Sequence, residues 1–281
     1  MTHIYYVDGE FVHSDSAQLP VTDLAIVRGY GVFDFMRTYG GKPFHLDEHI
    51  QRLFRSADLI GLDLPWTHEQ VKTVVLETVA RNAYAESNVR IVVTGGDSQD
   101  FLNPNGTPRL LVLCLPANPP PAHYYTDGVK AITFPYARFE PQAKTLNYIP
   151  AIMAMRQARA AGAVEAIYTD RGLALEGTTT NVFAWIKGRW VTPHDEILWG
   201  ITRQVVLALA RPVYGEIEVR DLPLAELLQA DEVFISASNK QIMPIVQIDQ
   251  TVIGSGQPGP ETAQMIALFR AYTEQYATIE A

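Results

Sequence analysis

The sequence predicts a two-domain protein of mixed α+β/α/β class. Three observations carry this. Apolar residues recur with helical and with strand periods along the chain. A proline-rich run, Pro116-Ala117-Asn118-Pro119-Pro120-Pro121-Ala122, interrupts them near the middle. Beyond it, short apolar runs alternate with helical patterns. Prolines remove backbone donors and favour a stiff extended path, so the run marks a linker over 116–127. It separates a small N-terminal α/β domain at 1–115 from a larger domain at 128–281. At 281 residues the chain can bury either one large core or two smaller ones.

The first element is a hairpin, because apolar runs at 4–7 and 10–12 flank Asp8-Gly9, a favoured tight-turn pair. From Leu46, apolar residues recur at Ile50, Leu53, Phe54, Ala57 and Ile60, and Gly61 supplies a stop. That spacing predicts a helix. A second helix is expected over 67–82, with Thr67 as its cap and Glu69-Gln70 in its first turn. Strands are expected at 89–94 and 109–115. The second half gives strands at 129–134, 164–168, 182–186 and 232–236. It gives helices at 149–161, 202–210 and 224–228. No internal repeat is present.

Composition narrows the class. The chain is 47% hydrophobic and 19% charged, as ordinary globular proteins are. A formal net charge of −9 argues against nucleic-acid or anionic-membrane partners, which want a basic surface. A small anion can still be held by a local group of arginines. The one cysteine, Cys114, rules out an intramolecular disulfide and fits a reducing cytoplasm. It lies in Leu110-Leu111-Val112-Leu113-Cys114-Leu115, which reads as a buried strand with an inert thiol. The N-terminus lacks the basic-then-apolar pattern of a signal peptide. No apolar run approaches the roughly 18 residues that span a bilayer. The expected location is therefore the cytoplasm, without a membrane.

Chemistry enters with the six lysines. Lys42 and Lys187 sit in glycine-containing turns, and Lys72 falls in the polar part of a helix pattern. Lys144, in Ala143-Lys144-Thr145-Leu146-Asn147-Tyr148, lies after a strand and before a helix, where catalytic groups often project. After it come Glu176-Gly177-Thr178-Thr179-Thr180-Asn181, then Gly200-Ile201-Thr202-Arg203, then Ser236-Ala237-Ser238-Asn239. A lysine, a carboxylate and two hydroxyl-bearing turns in that order supply what pyridoxal 5′-phosphate (PLP) needs. They offer a Schiff-base amine, a group that keeps the ring nitrogen protonated, and a phosphate cradle. The Gly200 segment opens a helix, whose amides and dipole favour an anion. The Ile201 and Thr202 amides and the Thr202 hydroxyl are therefore candidate phosphate ligands. There is no G-x-x-x-x-G-K-S/T phosphate loop, no G-x-G-x-x-G fingerprint and no H-E-x-x-H spacing. A single cysteine excludes a thiolate zinc cluster.

With these residues in this order, the chain resembles the fold-type IV PLP-dependent aminotransferases. That group holds branched-chain aminotransferases, D-amino-acid transaminases and aminodeoxychorismate lyases. The resemblance runs from Val21-Thr22-Asp23 to about Val246. It implies the two-domain fold of that group, PLP as cofactor and no metal. It implies that Lys144 is the Schiff-base lysine, which then shuttles protons between substrate Cα and cofactor C4′. Glu176 matches the glutamate facing the pyridine nitrogen. Ser238 stands where the family usually has a threonine, and it keeps the hydroxyl. Arg52, in His49-Ile50-Gln51-Arg52-Leu53, matches an arginine that pairs with the phosphate; Arg55 beside it reads as solvated. Tyr148 matches a phenol that hydrogen-bonds the cofactor's 3′-oxygen in several members.

The substrate residues belong to the first half. Arg28 opens Arg28-Gly29-Tyr30-Gly31-Val32-Phe33-Asp34, which reads as a loop entering a strand. Arg90 lies among β-branched residues, where an arginine either faces solvent or serves a pocket. With Tyr30 they are the candidate substrate-binding residues, able to grip carboxylates of an amino acid or 2-oxo acid. Thr94-Gly95-Gly96-Asp97 lacks the arginine–histidine trap of the best-known D-amino-acid transaminases. Of the Tyr-x-Arg-Pro pattern of branched-chain enzymes only Arg90 remains. The pair Arg28 and Arg90 resembles a less usual group of D-amino-acid transaminases. This implies ping-pong transfer between a D-amino acid and a 2-oxo acid, 2-oxoglutarate or pyruvate. It also implies a homodimer, because the loop matching Arg28 reaches the neighbouring subunit's site. The alternatives are a branched-chain L-amino-acid transaminase, an aminodeoxychorismate lyase, an (R)-amine transaminase and a non-catalytic PLP-binding protein.

Overall fold

The computed structural model describes residues 2–278. Met1 and residues 279–281, which the expected domains include, lie outside the described residues. The chain divides into two compact units. One runs up to Asn118 and takes in Gln142–Asn147 and the chain from Glu274. The other comprises Pro119–Pro141 and Tyr148–Thr273.

The first unit contains β1 (Ile4–Val7), β2 (Glu10–His13), α1 (Leu24–Arg28), β3 (Gly31–Tyr39) and β4 (Lys42–Pro43). It continues with α2 (Leu46–Leu59), α3 (His68–Asn82), β5 (Ser87–Thr94) and β6 (Arg109–Pro116). Its strands form a six-stranded antiparallel sheet in the order β2-β1-β6-β5-β3-β4. Side chains alternate between faces along each strand. Val32 and Met36 of β3 and Val89, Ile91 and Val93 of β5 join Ile50, Leu53, Val71 and Val75 of α2 and α3 in one core. Phe33 and Phe35 lie with Arg90 on the other face. Cys114 is buried in the core, and burial pushes its thiol pKa up, which makes it inert.

Local signals account for the helix ends. Thr67 Oγ1 accepts from the Gln70 amide at 3.2 Å, and Gln70 Oε1 accepts from the Thr67 amide at 2.7 Å. This is a capping box. Gly61, at φ +67°, takes the left-handed conformation after α2 that a side chain would resist. Arg28 does not sit in a loop entering a strand, as the sequence suggested. It ends a short helix that Asp23 caps through the Ala25 amide and that Gly29 stops at φ 68°. A start signal and a stop signal so close together leave too few residues for a periodic pattern.

The second unit contains α4 (His123–Thr126), β7 (Val129–Pro135), α5 (Ile149–Ala160), β8 (Glu165–Asp170) and β9 (Leu173–Gly177). Next come β10 (Asn181–Ile186), β11 (Arg189–Thr192), α6 (Ile201–Tyr214), β12 (Glu218–Val219) and β13 (Leu222–Pro223). Then follow α7 (Leu224–Leu227), β14 (Glu232–Ala237), β15 (Gln241–Ile248), β16 (Thr251–Val252) and α8 (Pro260–Thr278), whose end is counted with the first unit. The strand order is β12-β11-β10-β14-β15-β7-β8-β9-β13, with β16 on β15. A further pairing of Glu176 in β9 with Asn181 in β10 brings the path back on itself. The sheet is thus barrel-like, and closure removes edges that would otherwise invite pairing. Its interior is filled by Val129, Ile167, Val182, Val233 and Ile245, among others. Among the described residues no helix is long and apolar enough to cross a membrane.

Helix α6 runs beyond 202–210 to Tyr214, passing through Pro212. Tyr214 packs edge-on against Trp185 and Trp190, which holds the last turn in place. Helix α8 carries a weak apolar signal, since two of the four residues it buries at helical spacing, Thr262 and Thr273, are polar and only Met265 and Phe269 are apolar. Its start is fixed from a distance. Glu232 accepts from the Glu261 amide at 3.1 Å and the Thr262 amide at 2.7 Å. A Cβ on Gly259 would overlap the Glu232 carboxyl group, so only glycine lets the carboxylate reach the helix end. Replacing Glu232 by alanine should cost about 1–3 kcal/mol, the scale of a lost charged cap. Chemical denaturation followed by circular dichroism checks this; an unchanged midpoint would show that the cap is dispensable.

Candidate active site

Lys144 belongs to the first unit, and its backbone is fixed there on both sides. Its carbonyl accepts from the Phe33 amide at 2.9 Å, and the Leu146 amide donates to Gly31 O at 3.0 Å. Val32 and Thr145 form a β-bridge. The Lys144 amide donates to Ser56 Oγ at 3.1 Å, and that hydroxyl donates to Arg52 O at 2.7 Å. A Cβ on Gly31 would meet Val93 O at 2.5 Å and Leu146 Cδ1 at 2.7 Å, so this close docking requires glycine. Arg55, read as solvated, donates to Gln142 Oε1 and braces the same segment. The Lys144 side chain is buried, with Nζ 4.7 Å from the centre of the Phe33 ring.

Arg90 comes to the same ring. Its guanidinium carbon lies 5.1 Å from the centre of Phe33 and 5.8 Å from that of Phe35, while the residue stays exposed. The structure thus brings Arg90 and Lys144 together. It does not bring Arg28 to them: this exposed side chain makes one hydrogen bond among the described residues, to Val27 O at 2.8 Å. The Tyr30 hydroxyl donates to Gly61 O at 3.1 Å and Ile60 O at 3.3 Å, at the end of α2. Arg52 meets a group that sequence reading passed over. Its Nε donates to Asp34 Oδ2 at 2.9 Å and its Nη2 to Asp34 Oδ1 at 2.7 Å.

In the second unit, Glu176 is buried where β9 meets β10. Its Oε1 accepts from Arg138 Nε at 2.7 Å and its Oε2 from the Leu198 amide at 2.9 Å. Arg138 also donates to Pro141 O. Burial alone would push the guanidinium pKa down; Glu176 and nearby phenols outweigh it and raise it. The Tyr168 phenol is pushed well up by burial, with Glu176 and Tyr148 adding to the effect. Tyr148 is half-buried just before α5.

The start of α6 is shaped for an anion. Gly200 caps the helix with an extended backbone and no side-chain hydrogen bond. A Cβ there would overlap Asn181 Oδ1. Asn181 in turn donates to Leu198 O at 2.8 Å and pairs with Ser236 across β10 and β14. The Glu176 turn, the Ile201-Thr202 helix start and the strand leading to Ser238 are therefore joined at one end of the sheet. Thr202 is buried, and Ser238 is half-buried in the turn after β14. Ser236 Oγ is buried with no hydrogen-bond partner among the described residues. Arg203 is buried and donates to Pro193 O at 2.9 Å. Burial pushes its pKa down to about 10, which leaves it cationic at neutral pH beside Glu176.

Sequence reading missed the groups that hold this end together. Glu165, fully buried, accepts from Lys240 Nζ at 2.7 Å, from the Thr178 amide at 3.1 Å and from Thr180 Oγ1 at 3.2 Å. Burial alone would raise its pKa; Lys240 and the Thr178 hydroxyl outweigh this and hold it below the usual carboxylate range. The pair ties the turn after Glu176 to the turn that carries Ser238. Arg138 and Glu165 belong to no motif, and their partners are far off in sequence; only the cost of burying an unpaired charge could have suggested them.

These residues fit PLP. By residue type, the first unit offers a buried amine and the second a buried carboxylate and a helix start that receives no side-chain cap. Comparisons with known proteins agree. The amino-transferase class IV family model matches residues 31–248. A Methanocaldococcus jannaschii protein provisionally named a branched-chain-amino-acid aminotransferase is 37% identical, covering 94% of both chains. The D-alanine aminotransferase of Bacillus licheniformis is 34% identical over 91% of this chain and 92% of its own. Among solved structures, the branched-chain amino acid aminotransferase of Thermobaculum terrenum in its PLP form is similar at a TM-score of 0.87. It is 26% identical, and the match covers 98% of this chain and 94% of that one. Likeness of this extent identifies the fold as fold-type IV. The chain belongs to the class IV aminotransferases, and its cofactor is pyridoxal 5′-phosphate.

Proposed function

We propose that this aminotransferase moves an amino group between a D-amino acid and a 2-oxo acid, 2-oxoglutarate or pyruvate, in a ping-pong cycle. One observation carries the reading. Lys144 Nζ and the Arg90 guanidinium both lie near the Phe33 ring, 4.7 and 5.1 Å from its centre, so the amine and a carboxylate anchor share one aromatic neighbour. The D-alanine aminotransferases among its relatives support the same choice. A branched-chain L-amino acid is the second reading. The apolar Phe33 and Phe35 rings beside Arg90 favour it, as does the name of the archaeal relative.

When bound, PLP supplies an electron sink for charge that develops at substrate Cα. Lys144 Nζ would hold the cofactor at its aldehyde carbon and, once the substrate amine has replaced it there, would be free to carry the proton between substrate Cα and cofactor C4′. Glu176 would hold a proton at the ring nitrogen, with Arg138 and the Leu198 amide fixing the carboxylate's orientation. The Ile201 and Thr202 amides and the Thr202 and Ser238 hydroxyls of the second unit would be phosphate ligands, as would Arg52 of the first. Tyr148 would donate to the 3′-oxygen. Arg90 would orient the substrate carboxylate, while Arg28, at the end of α1, and Tyr30 would serve the site of the neighbouring subunit. Lys144 works on one face of the cofactor, so the position of the α-carboxylate decides which enantiomer presents its proton. Two chains form the working enzyme. Ile149, Ile152 and Met153 stand exposed along one side of α5, and Phe139 is exposed nearby, which is apolar surface suited to pairing.

Glu176→Gln should fold normally but slow the half-reaction by more than about tenfold, because an amide cannot hold the ring proton by charge. Stopped-flow absorbance checks this, and an unchanged chemical step would remove Glu176 from the mechanism. For the substrate, D-glutamate or D-alanine should convert the cofactor faster than L-leucine or L-glutamate. Arg90→Leu should weaken D-substrates more than it weakens PLP binding. Faster conversion by L-leucine than by every D-amino acid tried would favour the branched-chain reading instead. The same preparation should sediment as a dimer at assay concentration; a fully active monomer would contradict the pairing.

A further inference from the structure

Asp34 is a fully buried carboxylate on the core side of β3. Two positions away on either side, Val32 and Met36 point into the same apolar core. Asp34 takes four donors there. Arg52 Nε binds Oδ2, while Arg52 Nη2, His49 Nδ1 and the Phe35 amide bind Oδ1, the last two at 2.7 and 2.6 Å. Burial alone would raise its pKa, but Arg52 and His49 outweigh this and keep it ionised. A buried ion pair adds little net stability, and apolar residues of similar volume often do as well. Stability therefore does not explain a carboxylate at this point in β3.

Geometry does. Arginine has a long, rotamer-rich side chain, and ordering it costs conformational entropy. Side-on binding through Nε and Nη2 fixes both the plane and the rotation of the Arg52 guanidinium. It also turns the Nη1 end away from the carboxylate. His49 is buried, with Nδ1 at Asp34 and Nε2 without a partner among the described residues. The proton on Nδ1 makes the ring a neutral donor that braces the same carboxylate, consistent with burial lowering its pKa. One carboxylate and one guanidinium cancel, so Arg52 reaches a ligand from a pair with no net charge.

We propose that Asp34 is a positioning residue that aims Arg52 at the 5′-phosphate of PLP, with His49 bracing it; this rests on the reading of Arg52 as a phosphate ligand. The two possible roles of Asp34 have opposite signs. If the charge of Arg52 mattered most, removing Asp34 would unmask it and tighten phosphate binding. If direction matters most, removing Asp34 loosens phosphate binding.

The test compares PLP with pyridoxal, which has the same ring and aldehyde but no phosphate. Full-length protein stripped of cofactor is titrated with each, followed by absorbance, for the parent, Arg52→Lys and Asp34→Asn. Both variants should lose about tenfold or more in affinity for PLP while pyridoxal binding changes little. Combining them should cost no more than Arg52→Lys alone, because each removes the same aimed contact. If Asp34→Asn fails to fold, Asp34→Glu makes the same comparison, since its extra methylene displaces the guanidinium and keeps the charge. If Arg52→Lys lowers PLP affinity selectively but the Asp34 variants bind PLP as well as the parent or more tightly, the positioning role is overturned and Arg52 keeps its own. If Arg52→Lys affects PLP and pyridoxal alike, the phosphate role of Arg52 fails and the proposal fails with it.

Discussion

The pairing of residues 144–146 with the start of β3 is the constraint on which the rest depends. Two backbone hydrogen bonds and a β-bridge hold Lys144 as if it were part of a sheet, although the pairing extends no further. Backbone held in this way lets a flexible lysine place its amine repeatedly at one point. The docking demands glycine at position 31 and brings Phe33 beneath the amine. Because β3 alternates, the face that offers Phe33 to Lys144 leaves Asp34 on the core side, where it meets α2. One strand thus serves the amine on one face and the arginine on the other.

The second unit solves a different problem, which is how to keep several loops in register at one end of a sheet. Closure between β9 and β10 places Glu176 opposite Asn181. Asn181 then reaches the loop before α6 through Leu198 O, and the Leu198 amide returns to Glu176. The buried Glu165–Lys240 pair ties in the turn that follows β14. Buried charge is costly unless it is fully bonded, and here each carboxylate has several donors. Such networks contribute less to stability than to a single defined arrangement of loops, which an anionic ligand with several fixed contacts requires.

Much of this could be read from residue types in order. Lys144, Glu176 and the Gly200-Ile201-Thr202 helix start each carry chemistry within a few consecutive residues, so a linear pattern contains them. Helices α2 and α3 were legible because Leu46, Ile50, Leu53 and Ala57, and the Thr67–Gln70 cap, obey local rules. Other features depend on partners remote in sequence. Arg138 finds Glu176, Glu165 finds Lys240, and Glu232 caps a helix that begins at Pro260. Only the entry to strand β3 was legible, and its run to Tyr39 was not, because it is buried on both faces yet carries Asp34 and Thr38, so it neither alternates cleanly nor reads as a continuous apolar run. Arg28 was misplaced because a five-residue helix shows its caps but no period.

The central claim is that the amine docked on β3 carries the cofactor. Borohydride reduction of the holoenzyme, followed by digestion and peptide mapping, tests it directly. The account predicts a phosphopyridoxyl group on the peptide containing Lys144 and none fixed in the Lys144→Ala protein. A label on Lys240 or on any other lysine of the untreated sequence would contradict it.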